Sequence, residues 1–391
     1  MRTFIIILFF SFCFRLTAQK VQQAEKNYKS ALEAYRNRQL DLAEDLILTS
    51  IRFSKDAKSN YLAGLIYEAQ NKPLRAIAAY ENALILDEEN HEARFQKAVL
   101  YLQNGDPAQA LKDFDFLVDL GGFNTTNSIF FEVDPLGRSQ HKVRSLSRMT
   151  SRLYYYRGQA HEKLDHFDLA YQDYELAIVQ DSVADYFIAK GLLNRKIGDD
   201  QKAIIDLRKA LDLDSSNERA WYNLALIDDD VLVPEELVRD EAFVPILNLL
   251  AVRAIESENY DLAVEYLDQS ISNDSSDPLT YVNRGRALLK MKKYKKARSD
   301  FENAQLLDET RAEVLYLIGN SYFYEKSFSK ALVYYDHYLS IDPTNGMIWY
   351  NAASCLLKEK ETKKACHYLR QADIFGMSQM VSQQLEKYCT D

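Results

Sequence analysis

Small side chains recur along this chain at an interval of 33 or 34 residues, and two longer steps of 60 residues interrupt the series. The recurring alanines are Ala43, Ala76, Ala110, Ala170, Ala203, Ala263, Ala297, Ala331 and Ala365. Twelve positions before each of them stands another small residue, namely Ala31, Gly64, Ala98, Gly158, Gly191, Ala251, Gly285, Gly319 or Ala353. Such a period predicts one small structural unit that is repeated and that buries its apolar face only against its neighbours.

The stretch 312–345 shows what this unit is, because its apolar residues follow helical spacing on either side of a short break at Lys326–Phe328. One face of the first helix carries Leu315, Ile318, Gly319 and Tyr322, and one face of the second carries Ala331, Tyr335 and Tyr338. Pro343 ends the second helix, because proline disfavours the helical state of the residue before it. The unit is therefore predicted to be a pair of short antiparallel helices, which the small Gly319 and Ala331 allow to approach closely.

The sequence resembles the tetratricopeptide repeat family, a helix–turn–helix of about 34 residues with Trp, Leu-Gly, Tyr, Ala, Phe, Ala and Pro at set places. The matching residues are Trp349, Ala352 and Ala353; Gly64, Tyr67, Ala76, Tyr80 and Ala83; and Gly285, Ala297, Phe301 and Ala304. Only the unit 312–345 keeps the final proline. The resemblance implies an all-α solenoid in the form of a right-handed superhelix, with an irregular insertion and a C-terminal capping helix.

The marker residues divide the chain into segments. We expect a signal peptide at 1–18, repeats one to three at 24–121, an irregular insertion at 122–150, repeats four and five at 151–217, a degenerate short repeat at 218–243, four further repeats at 244–379, and a capping helix and tail at 380–391. In the insertion, a helix could begin at Ser139. In the degenerate repeat, a short helix is expected to begin near Pro234.

The first residues have the composition of a secretory signal: Arg2 is basic, the segment 4–14 is apolar, and Ala18 is small. Cleavage is expected after Ala18 or Gln19. The apolar run is too short to cross a bilayer, which takes about 20 residues. We therefore expect an exported protein without a membrane span, in the periplasm or outside the cell, either free or attached to an envelope complex.

The three cysteines that follow the expected cleavage site are Cys355, Cys366 and Cys389. Cys355 and Cys366 lie on the two helices of the last repeat and could face each other. The favoured interpretation is that all three are small buried residues, since free cysteine is commonly buried. Their spacing matches no zinc pattern.

No arrangement of residues in the sequence predicts catalysis. It contains no phosphate-binding glycine loop, nucleophile elbow or helical pair of histidines with a glutamate, so neither an enzyme nor a cofactor is expected. The run Asp228–Asp230 lacks the spaced oxygen ligands of a calcium site and is interpreted as a solvated loop, so no metal is expected. A net charge of −10 argues against binding to nucleic acid.

In the resembled family, the fifth, ninth and twelfth residues of each first helix line a concave groove that binds protein segments. The resemblance therefore implies a protein-binding face whose fifth positions are Tyr28, Tyr61, Phe95, Tyr155, Tyr222, Tyr316 and Tyr350. The Lys and Asn pair that forms a carboxylate clamp in chaperone-binding relatives is missing there, which argues against an acidic C-terminal peptide. The alternative is that these aromatic residues pack against the neighbouring first helix.

A second contact site is expected in the insertion, where basic residues are concentrated in an otherwise acidic chain. These residues are Arg138, His141, Lys142, Arg144 and Arg148. They would contact an acidic partner, or else form a strap of local salt bridges over the repeats. The sequence thus leaves two functions open, an adaptor that holds a protein or peptide in its groove and a structural assembly factor fixed into an envelope complex. It predicts neither the partner's identity nor the oligomeric state.

Overall fold

The computed structural model describes residues 2–121, 130–133, 139–142, 146–239 and 243–389, and for 2–17, 130–133, 139–142 and 146–148 it describes the backbone alone. The chain divides into two compact units, Met1–Ser215 and Ser216–Asp391. Both are built from antiparallel helix pairs, which confirms the predicted all-α repeat fold. Among the described residues, no helix combines the length and apolar character that crossing a bilayer requires.

The described residues of the first unit form five helix pairs, and each helix packs against the next one along the chain. Its helices are α1 (Arg2–Arg36), α2 (Leu40–Phe53), α3 (Ala57–Ala69), α4 (Pro73–Leu86), α5 (His91–Gln103), α6 (Pro107–Asp119), α7 (Leu146–Lys163), α8 (Phe167–Gln180), α9 (Ala184–Lys196) and α10 (Asp200–Leu213). Helices α4 and α6 begin with proline, whose missing N–H costs nothing at a helix start.

The second unit begins with a short helix and a turn of 3₁₀ helix at Glu235–Val238, close to the expected position near Pro234. Its α-helices are α11 (Glu218–Ala225), α12 (Val244–Glu256), α13 (Tyr260–Asn273), α14 (Pro278–Lys290), α15 (Tyr294–Leu307), α16 (Ala312–Tyr324), α17 (Phe328–Ile341), α18 (Gly346–Lys358), α19 (Thr362–Ala372) and α20 (Ser378–Tyr388). A π-helical segment at Asp373–Met377, kinked at Gly376, joins α19 to α20.

The nine recurring alanines are completely buried, each with 0% exposure, and form the centre of their helix pairs. Five residues before each of them, the chain turns with a positive φ angle. The turn residues are Arg38, Asn71, Gly105, Asp165, Gly198, Glu258, Lys292, Lys326 and Lys360. The same backbone turn therefore closes every helix pair, although only two of its residues are glycine.

Within the insertion, the described residues form two short antiparallel strands, β1 (Phe130–Val133) and β2 (Ser139–Lys142), with Phe130 opposite Lys142. A helix from Ser139 was therefore the wrong expectation, since α7 begins seven residues later, at Leu146. The extended conformation suits the aromatic and β-branched residues of β1.

The cysteines pair differently from the arrangement considered above. Cys366 is bonded to Cys389, with their Cα atoms 5.6 Å apart, while Cys355 is free and completely buried. Cys355 and Cys366 are therefore not paired, and the favoured interpretation of three small buried residues holds for Cys355 and Cys366 but not for the partly exposed Cys389. Cys366 pairs with Cys389 because α20 packs against α19 and brings Cys389 next to Cys366. The disulfide fastens α20 to the last repeat.

Candidate protein-binding face

The candidate site is the surface formed by the fifth, ninth and twelfth residues of the first helix in each repeat, here called the first-helix face. In the first unit these helices are α1, α3, α5, α7 and α9. The ring of Tyr155 on α7 lies 4.8 Å from that of Tyr186, a buried residue at the third position of the repeat that contains α9. Successive first helices therefore pack against each other beneath this face.

One of the predicted binding residues is part of the core instead. Phe95 is 1% exposed, and its ring lies 6.0 Å from Phe114 and 5.8 Å from Tyr156. Its side chain is therefore enclosed by α6 and α7, and the assignment of Phe95 to a binding surface is corrected.

The other predicted residues of the first unit are partly buried tyrosines. Tyr61 lies 5.7 Å from Tyr80, and Tyr155 lies 6.1 Å from Tyr174, both within their own repeat. The ammonium group of Lys58 is 4.9 Å from the ring centre of Tyr28. Because each ring has one packed side and remains partly exposed, these positions combine packing with a surface role.

In the second unit, the corresponding tyrosines are also partly buried, and each has a partner. Tyr222 meets Phe243 edge to face at 6.0 Å, and Tyr316 meets Tyr338 at 5.4 Å. The hydroxyl of Tyr350 accepts a hydrogen bond of 3.0 Å from Gln384 of α20. The capping helix thus contacts the last of these positions.

Two glutamates that sequence reasoning missed lie at twelfth positions of the first-helix face. The hydroxyl of Tyr80 donates a hydrogen bond to Glu68, and that of Tyr174 donates one of 2.8 Å to Glu162. Burial raises the pKa of the Glu68 carboxyl, against the effects of the Tyr80 hydrogen bond and the charge of Arg152. The signal was present in the sequence, since in both repeats the glutamate stands twelve residues before the tyrosine.

Arg152, the second residue of the fourth repeat, lies on α7 between the buried ring of Phe95 and the partly buried ring of Tyr156. Its guanidinium carbon is 5.5 Å from the ring centre of Phe95 and 5.8 Å from that of Tyr156. Both distances lie within the range of a cation–π interaction. Because its charge also acts on Glu68 of α3 and Tyr186 of α9, Arg152 contributes a positive potential across several repeats.

A second group missed by sequence reasoning is a series of buried ion pairs inside the repeats. In four repeats, the residue just before the small residue of the first helix is a Lys or Arg. Its side chain forms an ion pair with an aspartate of the second helix, and the aspartate stands sixteen residues after the cation in each case. The pairs are Lys97–Asp113 at 3.0 Å, Arg157–Asp173 at 2.6 Å, Lys190–Asp206 at 3.4 Å and Arg284–Asp300 at 2.6 Å.

Three of these cations also reach an acidic residue of the preceding repeat. The contacts are Arg157 with Asp115 at 3.2 Å, Lys190 with Glu175 at 3.6 Å and Arg284 with Asp268 at 2.6 Å. Each such cation therefore joins two helices of its own repeat to the repeat before it. These charges belong to the framework that supports the first-helix face.

The second predicted contact lies outside the described side chains. Arg138 and Arg144 fall outside the described residues, and for Lys142 of β2 and Arg148 of α7 only the backbone is described. The basic site in the insertion therefore stays a prediction.

The acidic loop Asp228–Asp230 is held by an arginine. Arg253 of α12 donates hydrogen bonds to the carbonyl oxygens of Ala225, Val231 and Asp228, the last two at 3.1 and 3.0 Å. Across the described part of the chain, no three histidine, cysteine, aspartate or glutamate side chains converge as metal ligands would. The loop is an arginine-bound turn.

Repeated helix pairs stacked through buried small residues define the class of this protein, and the chain belongs to the tetratricopeptide repeat family. Models of that family match residues 61–124, 184–217, 248–312 and 312–345. Membership of this family indicates a scaffold for protein–protein interaction.

Two curated relatives match part of the chain. The type IV pilus assembly protein PilF of Pseudomonas aeruginosa is 27% identical over 40% of this chain and 66% of its own length. A TPR repeat-containing protein of Methanocaldococcus jannaschii is 26% identical over 64% of this chain and 46% of its own length. The chain thus spans less than two thirds of either relative.

Among solved structures, a tetratricopeptide repeat protein from Parabacteroides merdae covers 77% of this chain and 99% of its own, at 15% identity and a TM-score of 0.45. This likeness concerns the fold alone.

Proposed function

We propose that this protein is an exported, non-enzymatic adaptor that holds a segment of a client protein on its first-helix face. The observation that carries the proposal is the row of partly buried tyrosines Tyr28, Tyr61 and Tyr155 in the first unit. Tyrosine suits such a surface, because its ring gives apolar contact and its hydroxyl gives orientation at a small entropic cost. The partner is accordingly a protein or peptide segment bound largely through apolar contacts.

Two features support export. The first eighteen residues have the composition of a secretory signal, and disulfides such as Cys366–Cys389 persist mainly in oxidising compartments outside the cytosol. Fractionation of the native cells and N-terminal sequencing test this part. A mature chain that begins at Gln19 or Lys20 is the expected result, and a cytosolic chain that still carries Met1 contradicts it.

A second candidate function is that of a structural assembly factor bound through the opposite, second-helix surface. Large aliphatic side chains are exposed there at one and the same repeat position, nine residues after the marker alanine. They are Ile85, Val179 and Leu306, with exposures of 78%, 79% and 80%. That a partial relative is named a type IV pilus assembly protein agrees with such a role.

Site-specific photocrosslinking in the native cells separates the two functions. We would replace Tyr61 or Tyr155 by p-benzoylphenylalanine, which keeps an aromatic ring at the packed site, and place the same residue at Ile85 or Val179 as the matched pair on the second-helix surface. Covalent adducts from Tyr61 and Tyr155, with none from Ile85 and Val179, are expected for the adaptor. The reverse pattern overturns that proposal in favour of the assembly factor.

A further inference from the structure

Arg152 is a partly buried cation beside the first-helix face, and the described residues supply no carboxylate partner for it. The structure shows two ring contacts for its guanidinium, to Phe95 and Tyr156, and, within the part of the chain that it describes, neither an ion pair nor a hydrogen bond. Two nearby arginines, Arg94 on α5 and Arg157 on α7 itself, differ in this respect. Arg94 pairs with Asp113 at 3.2 Å, and Arg157 binds Asp173 through two nitrogens at 2.8 and 2.6 Å.

The charge of Arg152 acts on the carboxylate of Glu68, but that carboxylate already has a hydrogen-bond donor. It accepts the hydrogen bond from Tyr80, and its burial raises its pKa. The hydrogen-bonding edge of Arg152 is thus left for another acceptor, while the two rings restrict the side chain. A restricted guanidinium is well suited to a carboxylate, because its planar fork matches the two oxygens and less entropy is lost on binding.

We infer that Arg152 is a specificity-determining residue that binds an acidic side chain, Asp or Glu, within the client segment held on this face. The inference rests on the proposed adaptor function and names the chemistry of its partner. Tyr155 and Tyr156 would supply apolar contact on either side of the acidic residue. Since the first-helix positions lack the Lys and Asn pair of a carboxylate clamp, the source of the carboxylate is a side chain of an extended segment and not a chain terminus.

A display library of random linear peptides with amidated or masked C-termini tests the inference. Selection on the complete, disulfide-bonded protein is expected to enrich peptides that combine Asp or Glu with apolar residues. Selection on the Arg152→Met variant is expected to enrich apolar residues without the acid. Arg52→Met is the matched control, because it removes the same charge from an exposed position on α2 and is expected to give the same peptides as the original protein.

A double-mutant cycle with the best peptide then separates direct contact from a structural role of Arg152. Replacing the peptide's acid by its amide, or Arg152 by Met, is expected to weaken binding about tenfold or more, and in the variant the acid-to-amide change should have no further effect. Arg152→Lys should restore part of the affinity and its dependence on salt. Circular dichroism establishes that each variant is folded.

The possible results are distinct. If peptides are enriched without acids, if the Met variant keeps the acid preference, or if binding requires a free C-terminal carboxylate, the inference about Arg152 is overturned while the adaptor function stands. If the original protein enriches no peptide, the adaptor function is overturned together with it.

Discussion

At the scale of single residues, several glycines of the first helices make room for a ring on the second helix, whereas Gly191 lies close to the backbone of Ala203 as expected. Gly319 was expected to let two helix backbones approach, yet a Cβ atom at Gly319 would lie 2.6 Å from the Tyr335 ring. The equivalent distances are 2.5 Å between Gly285 and Phe301 and 2.8 Å between Gly158 and Tyr174. The glycine therefore makes room for an aromatic ring sixteen residues later.

We expect Gly319→Ala to lower the free energy of unfolding by about 1–3 kcal/mol, because the added methyl group overpacks the Tyr335 ring. Ala98 with Phe114 shows that a repeat can contain both an alanine and a ring, which favours the lower end of that range. Urea denaturation followed by circular dichroism measures the change.

The control for this prediction comes from the chain itself, where Ala251 stands sixteen residues before the buried Leu267. In a Tyr335→Leu background, which then reproduces that natural pair, Gly319→Ala should cost less than it does in the original protein, because the added methyl group no longer meets a ring. An equal cost in the two backgrounds would contradict the packing explanation.

The turn residues lead to a prediction of the opposite sign. Lys326 has a φ of 64°, a conformation that costs a residue with a side chain about 1–2 kcal/mol and glycine very little. Lys326→Gly should therefore raise the free energy of unfolding by about 0.5 kcal/mol after the greater flexibility of the unfolded chain is counted. Thermal denaturation checks the sign, with Glu302→Gly, inside α15, as the control that should destabilise by about 1 kcal/mol.

At the scale of the helical elements, the ion pairs between first and second helices are the main feature that the sequence analysis did not find. Arg284 binds Asp300 through two nitrogens at 2.9 and 2.6 Å, and Asp300 is only 4% exposed. Burial raises the pKa of Asp300, whereas the hydrogen bonds from Arg284 lower it. The pair is thus costly to bury and more costly to break.

We expect Asp300→Ala to destabilise the second unit by about 3 kcal/mol, since it leaves the Arg284 guanidinium without its buried partner. Asp268→Ala removes the more exposed acid bound to the same arginine and should cost less than about 1 kcal/mol. Chemical denaturation of the two variants gives the comparison. Similar losses for both would show that burial does not decide the strength of these contacts.

The sequence predicted the helix pairs well because small residues and apolar spacing report directly on local packing. It could not predict that Phe95 is enclosed, because the contact with Tyr156 depends on how α7 docks after the insertion. The buried ion pairs were also missed, because a charged residue in a helical pattern does not by itself indicate burial. Their burial arises from pairing across helices, which only a regular spacing of sixteen residues could have suggested.

At the scale of the whole molecule, the disulfide between Cys366 and Cys389 determines how firmly the last helix is held. It closes a loop of 23 residues, and among the residues of α20 only Val381 is buried. Such a cross-link contributes about 3 kcal/mol in the chain-entropy model. We expect reduction to increase hydrogen exchange in α20 strongly, with little change in α14 and α15, as measured by mass spectrometry.

The free cysteine provides an independent check on this pairing. Cys355 is completely buried, and burial raises the pKa of its thiol to about 12. In the folded protein, iodoacetamide at mildly alkaline pH should leave Cys355 unlabelled, and after reduction it should label Cys389. Labelling of Cys355 without denaturant would contradict its burial, and labelling of Cys366 or Cys389 before reduction would contradict their pairing.

The double contacts of Arg157 and Lys190 have a consequence for how such a chain can change its length. Each of these two cations faces an acid on the second helix of the repeat before it, so the two interfaces share the same kind of ion pair. Excision of residues 151–183 would bring Lys190 opposite Asp115, as Arg157 is now. Loss of this one repeat would therefore keep an ion pair between its two neighbours without any compensating substitution.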